Sequence, residues 1–161
     1  MIDSDQNRAY ELAYRESIRA LDQQATVVDG FRIRAGILIS SAALTTSFFG
    51  AVITTETQLT VAGWLGVASF LMVVGLSLAI LWPRGWEFSF SPVSLIATYI
   101  ETVEPLPLPA IHRDLALHMH ASYSENQTGI ERMALWSKWA VALLVLEVLF
   151  WVADRGIGTY G

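Results

Sequence analysis

The sequence predicts an all-α membrane protein: three transmembrane helices with a helical cytoplasmic extension, N-terminus inside and C-terminus outside. Three observations lead there. The apolar residues fall in blocks of bilayer length with few or no charges, basic residues lie mostly on one side of those blocks, and tryptophans collect at or near their ends. The chain has 161 residues, of which 53% are hydrophobic and 16% charged. Soluble domains carry about 25% charge.

The first block, Ala35 to Ile53, reads AGILISSAALTTSFFGAVI without a charge. At 1.5 Å per residue it covers roughly 28 Å, the thickness of a hydrocarbon core. The second, Val61 to Trp82, is also uncharged and stops at Pro83-Arg84-Gly85. The third, Met133 to Ala153, contains Lys138 near one end and Glu147 well inside. Lys138 can snorkel its ammonium to the headgroups. In a soluble bundle each helix would show water a charged face, and these blocks are apolar all round.

Arg32 and Arg34 precede the first block, residues 54–60 contain no Lys or Arg, and Arg84, Arg113, Arg132 and Lys138 lie between the second block and the third. The positive-inside rule therefore places the arm and the long loop in the cytoplasm, leaving the tail with Arg155 outside. Trp82, Trp86, Trp136, Trp139 and Trp151 sit at or near block ends, and Trp64 fits the outer boundary. The resulting divisions are 1–34 as a cytoplasmic amphipathic helix, 35–82 as a transmembrane hairpin, 83–132 as a cytoplasmic helical loop region, 133–153 as the third span and 154–161 as a short external tail. The acidic arm begins too far from an apolar core to resemble a cleavable secretion signal, and it is expected to be retained.

Within the arm, Tyr10, Tyr14, Ser17 or Ile18, Leu21, Ala25 and Val28 recur at helical spacing, with Gly30 or Gly36 as bend points before the first span. In the loop, Trp86 to Phe90 alternates as an extended strand would. Ser91-Pro92 then opens a short helix striped by Val93, Ile96, Tyr99, Ile100 and Val103. Pro105, Pro107 and Pro109 hold Glu104 to Pro109 extended. A second helix starts near Pro109, with Ile111, Leu115, Met119, Ser122 and Ile130 on its apolar face, and runs into the third block unless Gly129 breaks it.

The absence of Cys and a net charge of -5 exclude thiol chemistry, disulfides and a general nucleic-acid surface. His112, His118 and His120 put only two imidazoles on one helix face, too few for a zinc site, so no metal is expected. The hydroxyls of ISSAALTTSF have no histidine in their span to activate them; no catalytic residue or cofactor is expected, and the chain reads as a non-enzyme. Gly36 and Ser40, the series Ala42, Thr46 and Gly50, Ala62 with Gly66, and Gly75 with Ala79 place small side chains four apart, the spacing that lets helices approach closely in lipid. Glu147 is the most pointed residue. An ionised carboxylate facing lipid costs about 2 to 3 kcal/mol, so it should face helices, water or its own proton, with Thr46 or Ser47 as partners by depth. It either lines a path or assembly surface or helps the spans associate.

The run GFRIRAGILISSAALTTSFFG, a short turn, a second span ending LWPR, the segment FSFSPVSLIATYI, the helix IHRDLALHMHASYSENQTGIERM and a final span together resemble small membrane effectors of bacterial antiphage systems. The layout is similar to the transmembrane effectors of cyclic-pyrimidine (Pycsar) signalling, to SLATT-like effectors and to small actinobacterial membrane proteins of unassigned function. The resemblance implies an inner-membrane, multi-pass homo-oligomer that perturbs membrane integrity on a nucleotide signal. It also implies Arg15, Arg19, Arg113 and Arg132 as phosphate partners, with Trp86 or Tyr99 stacking on a base. Two functions are expected from these readings. One is a homo-oligomeric effector that forms a pore or disrupts the bilayer, gated by a cyclic nucleotide or a cytoplasmic protein. The other is a noncatalytic scaffold or accessory subunit that docks a partner through its cytoplasmic helices.

Overall fold

The structure, a computed structural model, describes residues 4–53, 60–86, 88, 91–101 and 106–158. It is all-helical, with no strand among the described residues. Helix α1 is Ser4–Ile53, α2 is Val61–Leu81, and the short α3, Pro92–Leu95, passes into a π-helical turn at Ile96–Ile100; α4 is Leu108–Gly158. Three of these helices are long and apolar enough to cross a membrane.

The chain divides into two compact units. A polar unit combines Met1–Val28 with Arg84–Glu131, and an apolar unit combines Asp29–Pro83 with Arg132–Gly161. α1 passes through Gly30 and Gly36 without interruption, so neither glycine ends a helix. α4 likewise runs through Gly129. It begins at Leu108, earlier than the extended stretch expected to Pro109, with Ala110 N and Ile111 N donating to Pro107 O at 2.9 and 3.3 Å. A proline is tolerated there because the first helical N–H groups have no partner within the helix. Glu87, Ser89, Phe90, Val103, Glu104 and Pro105 lie outside the described residues, so the extended readings that rest on them do too.

In the apolar unit, α2 buries Gly63, Gly66, Ser69, Val73, Ser77 and Ile80. α1 buries Ala35, Leu38 and Ala42, while α4 buries Met133, Ala140, Glu147, Trp151 and Asp154. Leu38, Ala42, Val73 and Ala140 form one cluster, with Phe70, Leu76, Leu143 and Leu144 around it. The outward faces carry the bulk: Leu44, Phe48, Val61, Leu71, Met72, Val145 and Leu149 are all exposed. The interior mixes small and polar residues with Leu38, Val73, Ile80, Met133 and Trp151, while many large apolar side chains stand outside, which a water-soluble surface would not favour. It is the distribution hydrocarbon favours, since burying Leu against Leu gains little over Leu against lipid.

In the polar unit, the buried face of α1 runs through Leu21, Gln24 and Val28, and that of α4 through Leu115, Met119, Ser122, Asn126 and Ile130. Gln24 takes the inward place expected for Ala25, and Ile18 is exposed, leaving Ser17 on the inner side. Gln24 Nε2 donates to Tyr123 O at 3.0 Å and approaches Gln127 Oε1 at 3.4 Å. The α3 stripe is also corrected: Tyr99 is buried, but Val93 and Ile96 are exposed. Glu101 N donates to Ile96 O at 3.0 Å, a bond five residues long. The extra residue in that turn shifts the face by about 100°, which a plain 3.6-residue reading does not anticipate.

Gly129 is a packing glycine. A Cβ there would lie 2.7 and 2.9 Å from two ring carbons of Trp86, whose indole also stacks on Phe88. Gly129→Leu is expected to lower stability by about 1–3 kcal/mol by overpacking. Thermal unfolding in detergent micelles checks this, and the loss should shrink when Trp86→Ala is combined with it.

Candidate functional site

The strongest polar constellation lies inside the apolar unit and is held by α1, α2 and α4. Glu147 is 0% exposed and accepts a hydrogen bond on Oε1 from Thr46 Oγ1 at 2.8 Å. Its Oε2 is enclosed without a partner, as are Trp151 Nε1 and Ser77 Oγ. One turn beyond Glu147, Trp151 stacks on Phe49 at 6.2 Å with the rings 3° apart, and its other surroundings include Gly66. A Cβ at Gly66 would already stand 3.2 Å from the indole, so Gly66 leaves room for the ring.

Near the C-terminal end of α4, Asp154 accepts from the backbone N of Thr60 at 3.1 Å and from its hydroxyl, while Thr60 caps the first turn of α2. Arg155 donates to Phe49 O at 2.7 Å, reaching a backbone carbonyl near the C-terminal end of α1. Asp154 and Arg155 therefore tie helix ends together within the apolar unit, a closer engagement than that of free interfacial charges. Sequence reasoning missed them, together with Gly63, Ser69 and Ser77. One signal was present: Met133, Ala140, Glu147 and Asp154 are seven apart, and all four are buried. A seven-residue repeat marks a continuous packing seam.

The expected packing residues separate into two sets. Ala42 and Gly66 are buried in the seam of the protomer, and Ala62 and Ala79 are half-buried beside it. Gly36, Ser40 and Gly75 are exposed; Gly36, Gly50 and Gly75 have open space where a Cβ would stand. Ser47, the alternative partner for Glu147, is exposed as well. The seam of α2 thus shares only Gly66 with the pairs Ala62/Gly66 and Gly75/Ala79 and otherwise runs through Gly63, Ser69, Val73 and Ser77. Spacing of four identifies small residues but does not choose among the helix faces that contain them.

The residues named as nucleotide contacts do not converge. In the polar unit, Arg15 and Arg19 are exposed and paired along α1 with Glu11 and Glu16. Arg113 is exposed, Trp86 is spent on Gly129 and Phe88, and the Tyr99 hydroxyl donates to Asp114. Arg132 is an exposed residue of the apolar unit. The histidines part company too: His112 stacks on Tyr14 and His120 lines a 250 Å³ cavity with Met119 and Tyr123. Among the described residues no group of three or more His, Asp or Glu side chains is placed to hold a metal.

Tyr99 has its phenol pushed up to about 12, first by the hydrogen bond to Asp114, then by burial and the negative charge of that carboxylate. A raised phenol contributes stability that is complete below the ordinary value of 10 and is lost as pH rises through 12. Tyr99→Phe should therefore flatten the loss of stability between about pH 10 and 12. Melting temperature against pH checks this, together with the phenolate absorbance missing from the variant.

Thr46→Val should cost about 0.5–2 kcal/mol, because it removes the only hydrogen bond the Glu147 carboxyl makes among the described residues. Thr46→Val combined with Glu147→Met should recover much of that loss, since no orphaned carboxyl remains; reversible unfolding in micelles measures the cycle. Compared with protein-family models, with curated proteins and with solved structures, the chain finds no match in any of the three.

Proposed function

We propose that the protein is a homo-oligomeric effector of a bacterial inner membrane that opens a pore or perturbs the bilayer. One observation carries the reading: the outward surface of α1 has two distinct faces. Ile33, Ile37, Leu44 and Phe48 make one exposed, bulky face suited to lipid. Gly36, Ser40, Ala43, Ser47 and Gly50 make another, within a sector of about 80° at 100° per residue. Gly36, Ser40 and Ser47 are exposed, and Gly36 and Gly50 have nothing against them.

Lipid gives no reason to segregate small and hydroxyl side chains from large apolar ones on an exposed surface. A helix that meets copies of itself does, because small residues permit close backbone approach and hydroxyls can bond across the contact or face water. The same face would line the axis of an oligomer. Glu147, turned into its own protomer, then acts as an internal fastener of the subunit, with Thr46 its partner, and is removed from the assembly surface.

The orientation proposed is N-terminus inside and C-terminus outside. It is supported by Arg32, Arg34, Arg84, Arg113, Arg132 and Lys138 on one side against Arg155 on the other. Arg155 is in addition held by Phe49 O. The layout shared with small antiphage effectors supports a role in defence, with the polar unit receiving the signal.

Gly36→Leu and Ser40→Leu are expected to shift the purified protein from oligomer toward monomer and to reduce dye release from liposomes at least tenfold. Leu44→Ala, on the lipid face, should leave both unchanged. Cross-linking in lipid and a dequenching assay read these outcomes. A protein that stays monomeric in bilayers and releases no dye, with or without cyclic nucleotides, overturns the proposal; a copurifying cytoplasmic protein lost on deleting residues 5–28 would favour the scaffold reading.

A further inference from the structure

The polar unit contains an aromatic cavity that the assembly does not use. It has a volume of 260 Å³ and is lined from α1 by Tyr14, from α3 and the π-helical turn by Leu95 and Tyr99, and from α4 by Leu108, Ile111, His112 and Leu115. Leu115 is 2% exposed and Tyr99 6%, so the pocket has a closed floor, while Leu108 stands open at 63%. Tyr14 and His112, both of which line this space, stack on each other at 5.2 Å with their rings 12° apart, so the cavity is bordered by an aromatic pair already fixed in orientation.

Three features narrow what fits. No Lys, Arg, Asp or Glu lines the cavity, so a phosphate or carboxylate would enter without a counter-charge. The volume falls below the range of about 300–1,000 Å³ typical of drug-sized ligands, which leaves room for one or two fused rings. The Tyr99 hydroxyl is committed to Asp114, whereas the Tyr14 hydroxyl and the His112 imidazole make no hydrogen bond among the described residues. The wall that brings Tyr99 in is itself unusual: π-helical turns make up well under 1% of residues and concentrate at functional sites.

We propose that the Tyr14, Tyr99 and His112 cavity binds a small, uncharged, planar heteroaromatic molecule, packed against the Tyr14–His112 pair and hydrogen-bonded at its edge by one of them. Aromatic walls reward a flat π system in offset or edge-to-face contact, which a saturated ring or acyl segment of equal size does not offer. His112 can donate at one ring nitrogen and accept at the other, so it can match either kind of ligand edge. Occupation would brace α1, the π-helical turn and α4 against one another within the polar unit. The site stands apart from the assembly proposal, since its test reads binding and not leakage.

The test uses the full-length protein in lipid nanodiscs with isotope-labelled histidine, the His112 signal being assigned by its loss in His112→Gln. Indole is titrated as the planar probe and cyclohexylmethanol as the saturated control. The expected result is a saturable shift of the His112 resonance with indole, at least tenfold weaker for cyclohexylmethanol and at least tenfold weaker in Tyr14→Leu. Leu95→Trp, which fills the cavity from α3, should abolish the shift while the protein still melts cooperatively. The proposal is overturned if indole gives no saturable shift up to its solubility limit, or if the saturated ring binds as well. It also fails if Leu95→Trp binds like the native protein, a result that decides the matter should Tyr14→Leu not fold.

Discussion

Hydrocarbon offers a peptide group no hydrogen bond, and the rest of this structure depends on that constraint. Any backbone placed in it must close its bonds internally, so the apolar stretches can only be helices, and their ends must find partners at the boundary. Thr60 N with Asp154, at the start of α2, is such a pair, and Arg155 adds a bond to Phe49 O near the end of α1. Because the solvent is already apolar, large side chains gain little by turning inward. The interior has room for Ala35, Ala42, Gly66, Ser69 and Ala140 beside Leu38, Val73, Ile80, Met133 and Trp151, and the small ones let the backbones approach.

A tightly closed interior changes the meaning of its polar groups. Glu147 and Trp151 are not surface features awaiting a partner chain; they are packed against Thr46, Phe49 and Gly66 of the same protomer. A carboxyl held in this way makes separation of α1 from α4 in the apolar unit costly, because separation exposes it to lipid. On the outer surface α1 divides into a bulky face and a small, hydroxyl-bearing one. The proposed assembly follows from that division, with the carboxyl stabilising each subunit separately.

The polar unit has a different composition and solves a different packing problem. Its seam carries Gln24, Ser122 and Asn126 among Leu21, Val28, Leu115 and Met119, a mixture that water-facing helix pairs tolerate and that favours one register over its neighbours. Gln24 reaching Tyr123 O shows that register directly. The π-helical turn and the Tyr99 bond to Asp114 then place an aromatic wall beside Tyr14 and His112. The two units thus separate the roles of a lipid-facing bundle and an aromatic, ligand-sized cavity within one short chain.

Much of this was legible from the residues alone. Uncharged runs of span length ended α1 at Ile53 and bounded α2 at Val61, because length and hydropathy are properties of a segment and need no partner. The demand that Glu147 avoid lipid was equally local, and depth alone put Thr46 within its reach. Tertiary structure decided which face of each helix turned inward. Spacing of four selected Ala62 and Gly75 and passed over Gly63 and Ser77, yet it is Gly63 and Ser77 that are buried. Tertiary structure likewise decided that Gln24 and not Ala25 faced α4, that Asp154 bound Thr60, the N-cap of α2, and that the π-helical turn rotated Tyr99 inward while leaving Ile96 out. Those outcomes depend on contacts between segments far apart in the chain, and the periodicity of any one segment carries no record of its neighbour.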